Sequence, residues 1–253
     1  MVKGLELFRE RFAPFADRYV LIGGTAATLA MEDADQTFRA TKDLDIVLTL
    51  EVLDSAFASA LWVFIEEGRY KNRQRSTGKR LFYRFYGPIE ERYPEMLEFF
   101  SRVPDAFNLR PASNLTPIPI GDETASLSAI LLESDYYSFI HARKRMIHGL
   151  PALGADGLIP LKAKAWLDLD DRKAAGEPID EQDVKKHRND ILRLSRVIEP
   201  TERVNLPESI RDDLCKALVK LESVQGNPQL SLGIRTISLA ELVDSLRRIY
   251  GIL

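Results

Sequence analysis

Residues 19–50 read YVLIGGTAATLAMEDADQTFRATKDLDIVLTL, and three pieces of that stretch decide the fold class. Tyr19–Ile22 is a short apolar run that stops at Gly23-Gly24. Thr25–Met31 consists of good helix formers, so a strand ending in two glycines feeds a helix. Asp43–Leu50 (DLDIVLTL) then reads as a buried strand. Working outward, Gly4–Ala16 carries Leu5, Phe8, Phe12 and Phe15 on one helical face, and Asp54–Glu67 does the same with Phe57, Leu61, Phe64 and Ile65. Two further strand-like runs follow, Arg80–Tyr86 and Glu95–Phe100, separated at Gly87-Pro88. Strand, helix, strand, helix, strand, strand is the order of an α/β or α+β sheet domain.

From about Asn108 to Leu132 the chain is rich in Pro, Ser and Thr, with apolar pieces at Ile118–Ile120 and Leu127–Leu132 that suit added strands or a crossover. Beyond Ser134 the spacing turns helical: Asp135–Ile147, Ile159–Leu169, Asp183–Ile198, Pro207–Glu222 and Ser238–Tyr250. The expected organisation is a mixed sheet domain over residues 1–134 and a mainly helical domain over 135–253. With 45% hydrophobic and 29% charged residues the chain is globular rather than disordered or fibrous. Cys215 stands alone, which excludes an internal disulfide or a cysteine-based zinc finger and suits a reducing compartment. The apolar stretch Phe57–Ile65 is far short of the ~20 residues of a membrane helix. Glu6, Arg9, Glu10 and Arg11 interrupt the apolar run a signal peptide would need, so the expected location is cytoplasmic and off the membrane. A formal charge of −3 argues against a general nucleic-acid coat while leaving room for a local basic patch.

Three features carry chemistry. Gly23 and Gly24 let backbone N–H groups approach a ligand closely, and the helix that starts there presents its positive dipole end, which suits a phosphate. Thr25 is placed to cap that helix or to offer its hydroxyl to a phosphate oxygen. The same three residues also suit an ordinary strand-to-helix turn. Asp43 and Asp45 lie two apart at the mouth of an apolar strand, so alternation sends both to one face. Two carboxylates so close repel unless a cation neutralises them, and a hard divalent ion bound by oxygen ligands and substrate phosphates does that; solvated strand-end acids are the alternative. Glu98, between apolar neighbours in Glu95–Phe100, is costly to bury without a partner. If its strand lies beside Asp43–Leu50 it completes a three-carboxylate set able to hold two metals ~3.5–4 Å apart. Glu95 is the other candidate should the opposite face point inward.

The glycine turn, the Asp-x-Asp strand and a later lone carboxylate, in that order, resemble the polymerase-β-type nucleotidyltransferase superfamily. The wording IGGTAATLAM and RATKDLDIVL is most similar to the AbiEii-type toxins of type IV toxin–antitoxin systems and their MenT relatives. Two points depart from the superfamily pattern: the longer gap from Gly24 to Asp43, and Glu rather than Asp as third acid. The resemblance implies a nucleotidyltransferase-fold sheet domain with a helical domain closing its cleft. It implies Mg2+ or Mn2+ held by Asp43, Asp45 and Glu98, an NTP cradled by Gly23-Gly24-Thr25, and transfer of an NMP to an acceptor hydroxyl. It reaches Leu158–Trp166, where Lys162 matches a lysine facing the nucleotide, and the helix around Lys185–Leu194, where Asp190 would pair with Lys162. His187 reads as a helix-surface or packing residue rather than a general base. An RNA acceptor such as the 3′ end of tRNA, and a cognate antitoxin on a separate chain, are implied in turn.

One basic run bears on the acceptor. Arg69, Lys71, Arg73, Arg75, Lys79 and Arg80 occur with no acid among them, Tyr70 is interleaved, and Tyr83 and Tyr86 follow. Such a hairpin can grip RNA phosphates and stack bases, or it can be a solvated loop. Arg143, Lys144, Arg145 and His148 are expected to form a second basic helix face. Transfer to a small molecule or a protein side chain, and a non-catalytic nucleotide-binding module on the same scaffold, stand as the alternatives.

Overall fold

The computed structural model describes residues 2–74, 80–102, 115–117 and 128–252, with backbone alone described in 72–74, 80–83, 115–117 and 128–131. Its first compact unit is Met1–Gly154 and its second Ala155–Leu253. The fold class read from the sequence, a mixed sheet followed by a helical part, is the one observed.

The first unit opens with α1 (Leu5–Phe12) and a 3-10 turn at Ala13–Phe15. β1 (Tyr19–Ile22) then runs directly into α2 (Gly23–Glu32), so the helix starts on the glycines themselves. β2 (Asp43–Leu48) leads through a short turn to α3 (Ser55–Gly68), whose first turn is capped by the Asp54 side chain accepting from the Phe57 amide. The remaining strands are β3 (Lys71–Gln74), β4 (Arg80–Tyr86), β5 (Met96–Ser101), β6 (Leu115–Pro117), β7 (Ser128–Leu131), β8 (Lys144–Ile147) and β9 (Leu150–Leu153), with α4 (Ser134–Ala142) between β7 and β8. They form one sheet in the order β3-β4-β5-β2-β1-β9-β8, and β7, with β6 beside it, pairs with the far end of β5. β2 and β5 are parallel, as are β1 and β9.

The sheet has two unlike faces, and the strand registers show why. Tyr19, Leu21, Leu44, Ile46, Leu97 and Phe99 fall on one face, each at most 1% exposed. Phe8 and Phe12 of α1 and Phe57 and Phe64 of α3 close over that face, meeting Tyr19 or one another edge to face at ring-centroid distances of 5.4–5.9 Å. On the opposite face the same strands carry Val20, Val47 and Phe100 at one end and acids at the other.

The sequence reading missed the hairpin β8–β9. Asp135–Ile147 was expected as one helix, but α4 stops at Ala142 and Lys144–Ile147 is a strand. The chain reverses at His148-Gly149, both at positive φ (49° and 78°), the two-residue turn that matches strand twist. β9 then pairs with β1, so residues 135–154 lie in the sheet unit. The basic helix face expected there is corrected with it. Arg143 caps α4, Lys144 and Arg145 sit on β8, and the Lys144 ammonium donates to the Asp17 carbonyl at 3.3 Å.

Where β2 ends, α4 docks through a polar cluster. Tyr137 donates to Glu51 at 2.8 Å, accepts from the Leu50 amide at 3.0 Å, and Arg102 donates to the other Glu51 oxygen at 2.7 Å. Burial works to raise Glu51, and these hydrogen bonds overcome it and hold the carboxyl below its usual range. His141 packs its ring on Tyr137 at 4.3 Å, with Thr49 Oγ1 3.5 Å from Nδ1 and Nε2 buried without a partner among the described residues. Burial, aided by Lys144 and Arg102 and opposed by Glu51, lowers His141 from 6.5 to about 4. The unfolded chain therefore takes up a proton near pH 6.5 that the folded chain refuses until about pH 4. Stability is expected to be lost across that window as pH falls, by on the order of 1–2 kcal/mol after allowing for the part of the ring that water reaches. Urea midpoints for the unsubstituted chain and His141→Gln at pH 7 and pH 4.5 check this. The variant should lose less between the two.

The second unit is helical: α5 (Ala155–Ala174), α6 (Glu181–Leu194), α7 (Glu208–Glu222), α8 (Pro228–Ser231) and α9 (Leu239–Tyr250). α5 packs on α6 and α7, and α7 on α9. A reciprocal Ser238–Glu241 capping box starts α9, and Tyr250 at its end donates to the Asp156 carbonyl of α5 at 2.8 Å. Among the described residues no helix is long and apolar enough to cross a membrane.

Candidate active site

Asp45 is the register partner of Ile22 on β1 and of Glu98 on β5, and Glu98 is in turn the partner of Arg84 on β4. One row, Ile22, Asp45, Glu98, Arg84, thus crosses four strands on the face away from the aromatic core. Asp43 lies two residues along the same face, opposite Met96. Glu95 precedes β5 and forms an ion pair with exposed Lys42 at 3.0 Å, so it is Glu98 that stands beside Asp45.

Two acids directly opposite each other on neighbouring strands repel. Arg84 answers part of that charge: its Nε donates to Glu98 Oε1 at 2.6 Å and its Nη2 donates to the same oxygen. The Glu98 side chain is 10% exposed and that of Arg84 34%. Among the described residues no three His, Cys, Asp or Glu side chains surround a common metal position. Asp43 and Asp45 nonetheless supply hard oxygen donors on one face, half-buried and close to a glycine turn, a donor set that fits a divalent cation such as Mg2+.

The turn is built for close approach. Gly23 has φ +67°, and a Cβ on it would lie 1.7 Å from Asp45 Oδ2. A Cβ on Gly24 would lie 2.4 Å from Thr41 Oγ1 and 3.7 Å from Arg39 Nη2. Asp45 therefore stands against Gly23, and Thr41 and Arg39 stand against Gly24, at the start of α2. Thr25 departs from its expected use. It is fully buried, and its hydroxyl donates to the Asp43 carbonyl at 2.6 Å, tying α2 to the mouth of β2 rather than capping the helix or facing a phosphate. Thr41, Arg39 and Arg84 were not singled out from the sequence. Their signal was polar residues alternating ahead of Asp43 and an arginine inside the apolar run RLFYRFY.

Gly23→Ala is expected to destabilise the chain by about 2–4 kcal/mol, adding the cost of a side chain at positive φ to that of overpacking. The cheapest escape is for the Asp45 carboxylate to turn away, so the substitution should also weaken binding of a divalent ion. Calorimetric melting with and without Mn2+ checks both. An unchanged melting point would show that the turn tolerates a methyl group.

Lys162 and Asp190, predicted as partners, are paired inside the second unit. Lys162 Nζ is 3.2 Å from Asp190 Oδ2, with side chains 6% and 0% exposed, and Arg193 Nη1 is 3.4 Å from Asp190 Oδ1. Lys164, on another side of α5, pairs with Asp213 at 3.0 Å. His187 is half-buried on α6. Of the basic run, Arg69 and Lys71 are exposed, Arg73 and Arg80 have described backbone on β3 and β4, and Arg75 and Lys79 fall outside the described residues. Tyr70 is not available for stacking. Its hydroxyl donates to the Pro94 carbonyl at 2.6 Å and its ring meets Tyr93 edge-on. Tyr86 is 42% exposed.

No family model matches the chain. No curated protein matches it. Among solved structures the chain is similar to an antigenic nucleotidyltransferase-like protein from Paracoccidioides brasiliensis, at 15% identity over 92% of this chain and 94% of that one, with a TM-score of 0.48. It is also similar to the antibiotic-resistance factor ANT(2'')-Ia, at 13% identity over 87% of this chain and 97% of that one, with a TM-score of 0.35.

Proposed function

We propose that the chain is a divalent-metal-dependent nucleotidyltransferase that moves an NMP from an NTP to an acceptor hydroxyl. The observation that carries the reading is the placement of Asp45 between Glu98 and a glycine whose missing side chain leaves room only for the carboxylate. Asp43, Asp45 and, once released from Arg84, Glu98 would hold Mg2+ or Mn2+. Bound there, the ion supplies charge neutralisation for the α-phosphate and for the attacking oxygen. The Gly23-Gly24 amides receive the β- and γ-phosphates at the α2 N-terminus, with Thr25 serving the turn through its backbone. In-line attack forms the bond from the acceptor oxygen to the α-phosphorus and breaks the bond to the β-phosphate oxygen, the hydroxyl proton passing to the Glu98 carboxylate or to water. Pyrophosphate leaves.

RNA is the acceptor this reading favours, with the 3′ end of tRNA as substrate and the AbiEii- and MenT-like toxins as the family resembled. Exposed Arg69 and Lys71, at the start of the basic run, support a polyanionic acceptor. A cognate antitoxin and a cytoplasmic setting, where NTPs and tRNA meet, belong to the same proposal. The test is incubation with each α-labelled NTP and Mg2+ in the presence of total RNA, total protein or no acceptor. Label is expected in RNA, with stoichiometric pyrophosphate. Label in protein or in a small molecule would reassign the acceptor, and no pyrophosphate with any NTP would overturn the transferase reading.

A further inference from the structure

Asp43, Asp45 and Glu98 bring three formal negative charges to one end of one sheet face, and Arg84 returns one positive charge. The guanidinium Nε and Nη2 both donate to Oε1 of Glu98, a charge-assisted arrangement stronger than a neutral hydrogen bond. A second divalent ion that used Glu98 would therefore meet a resident cation already bound to its ligand. Arriving NTP reverses the balance, because its phosphates add several negative charges at the start of α2. The α-phosphate over the acid row would also offer the planar guanidinium two oxygens, a partner at least as good as a carboxylate. Arg84 can answer. It is rooted one strand away from Glu98 and is the more exposed member of the pair.

We propose that Arg84 is a built-in counter-ion that keeps Glu98 from a second divalent ion until substrate phosphates draw the guanidinium off. This deepens the transferase reading and rests on it. Arg84 then serves two states: a cap on Glu98 before substrate arrives, and a phosphate clamp afterwards. The ordering has a use, since a second metal would join only when there is a triphosphate for it to act on.

Mn2+ binding, followed by the electron paramagnetic resonance of the free ion, tests this without turnover. The unsubstituted chain is expected to take up a single tightly held ion alone and a second one when a non-hydrolysable NTP analogue is added. Arg84→Gln should bind the second ion without nucleotide about tenfold more tightly, the scale of one contact charge near a protein surface after screening. Arg84→Gln combined with Glu98→Gln should lose that gain. Arg84→Lys keeps the charge but not the two-pronged contact and should fall in between. It decides the matter if Arg84→Gln does not fold. A second ion bound no more tightly in the folded variants than in the unsubstituted chain would overturn the role of Arg84 while leaving the transferase reading intact. No Mn2+ uptake by any form, with or without nucleotide, would overturn both.

Discussion

Asp45→Asn is expected to lower the rate of nucleotide transfer by about a thousandfold or more while the chain stays folded. The substitution keeps the shape of the side chain, so the fit against Gly23 survives, but it removes the carboxylate standing between the glycine turn and Glu98. Losing that charge relieves the repulsion with Glu98. The melting point should therefore change little even as catalysis fails. Pyrophosphate release and thermal melting, read on the same preparation, separate the two effects. A variant with ordinary turnover would remove Asp45 from the reaction and with it the metal assignment.

The largest effect on stability is expected at the other pair. Asp190→Ala should destabilise the chain by about 3–5 kcal/mol, because Lys162 would be left charged and buried without its carboxylate. Lys162→Met should cost less, since Asp190 would still have Arg193 at 3.4 Å. Combining Lys162→Met with Asp190→Leu should recover much of the loss, as apolar groups of similar volume replace buried ion pairs at little cost. Urea unfolding of the three variants gives the ranking directly. Equal losses for both single variants would show that Arg193 does not share Asp190.

Local rules read the first part of the chain well. β1, the glycine turn, β2 and α3 are visible because apolar spacing switches from strand to helix and back within a few residues. What lies across the sheet was harder. Nothing in the spacing of Asp45 and Glu98 says that their strands run parallel and in register, since that pairing is set by the aromatic face both strands share. Arg84 shows in the sequence only as one charge in an apolar run; its meaning comes from being opposite Glu98. Thr25 bonds a carbonyl eighteen residues onward in the chain, beyond any capping rule. The β8–β9 hairpin was hidden because the apolar spacing of α4 continues into Met146 and Ile147. The left-handed His148-Gly149 pair was the cue that a helix could not run on.

The alternation along β2 makes assembly of the acid row self-proofreading. Leu44 and Ile46 face the rings of α1 and α3 while Asp43 and Asp45 face away, so a slip of one residue in pairing would bury both carboxylates among phenylalanines. Such a misthreaded chain would forfeit its core, and incorrectly built copies should be unfolded rather than folded and inert. By the same coupling, trimming Phe99, whose ring is buried on the opposite face, is a lever on the acids: loosen the strand from below and the carboxylates above lose their spacing.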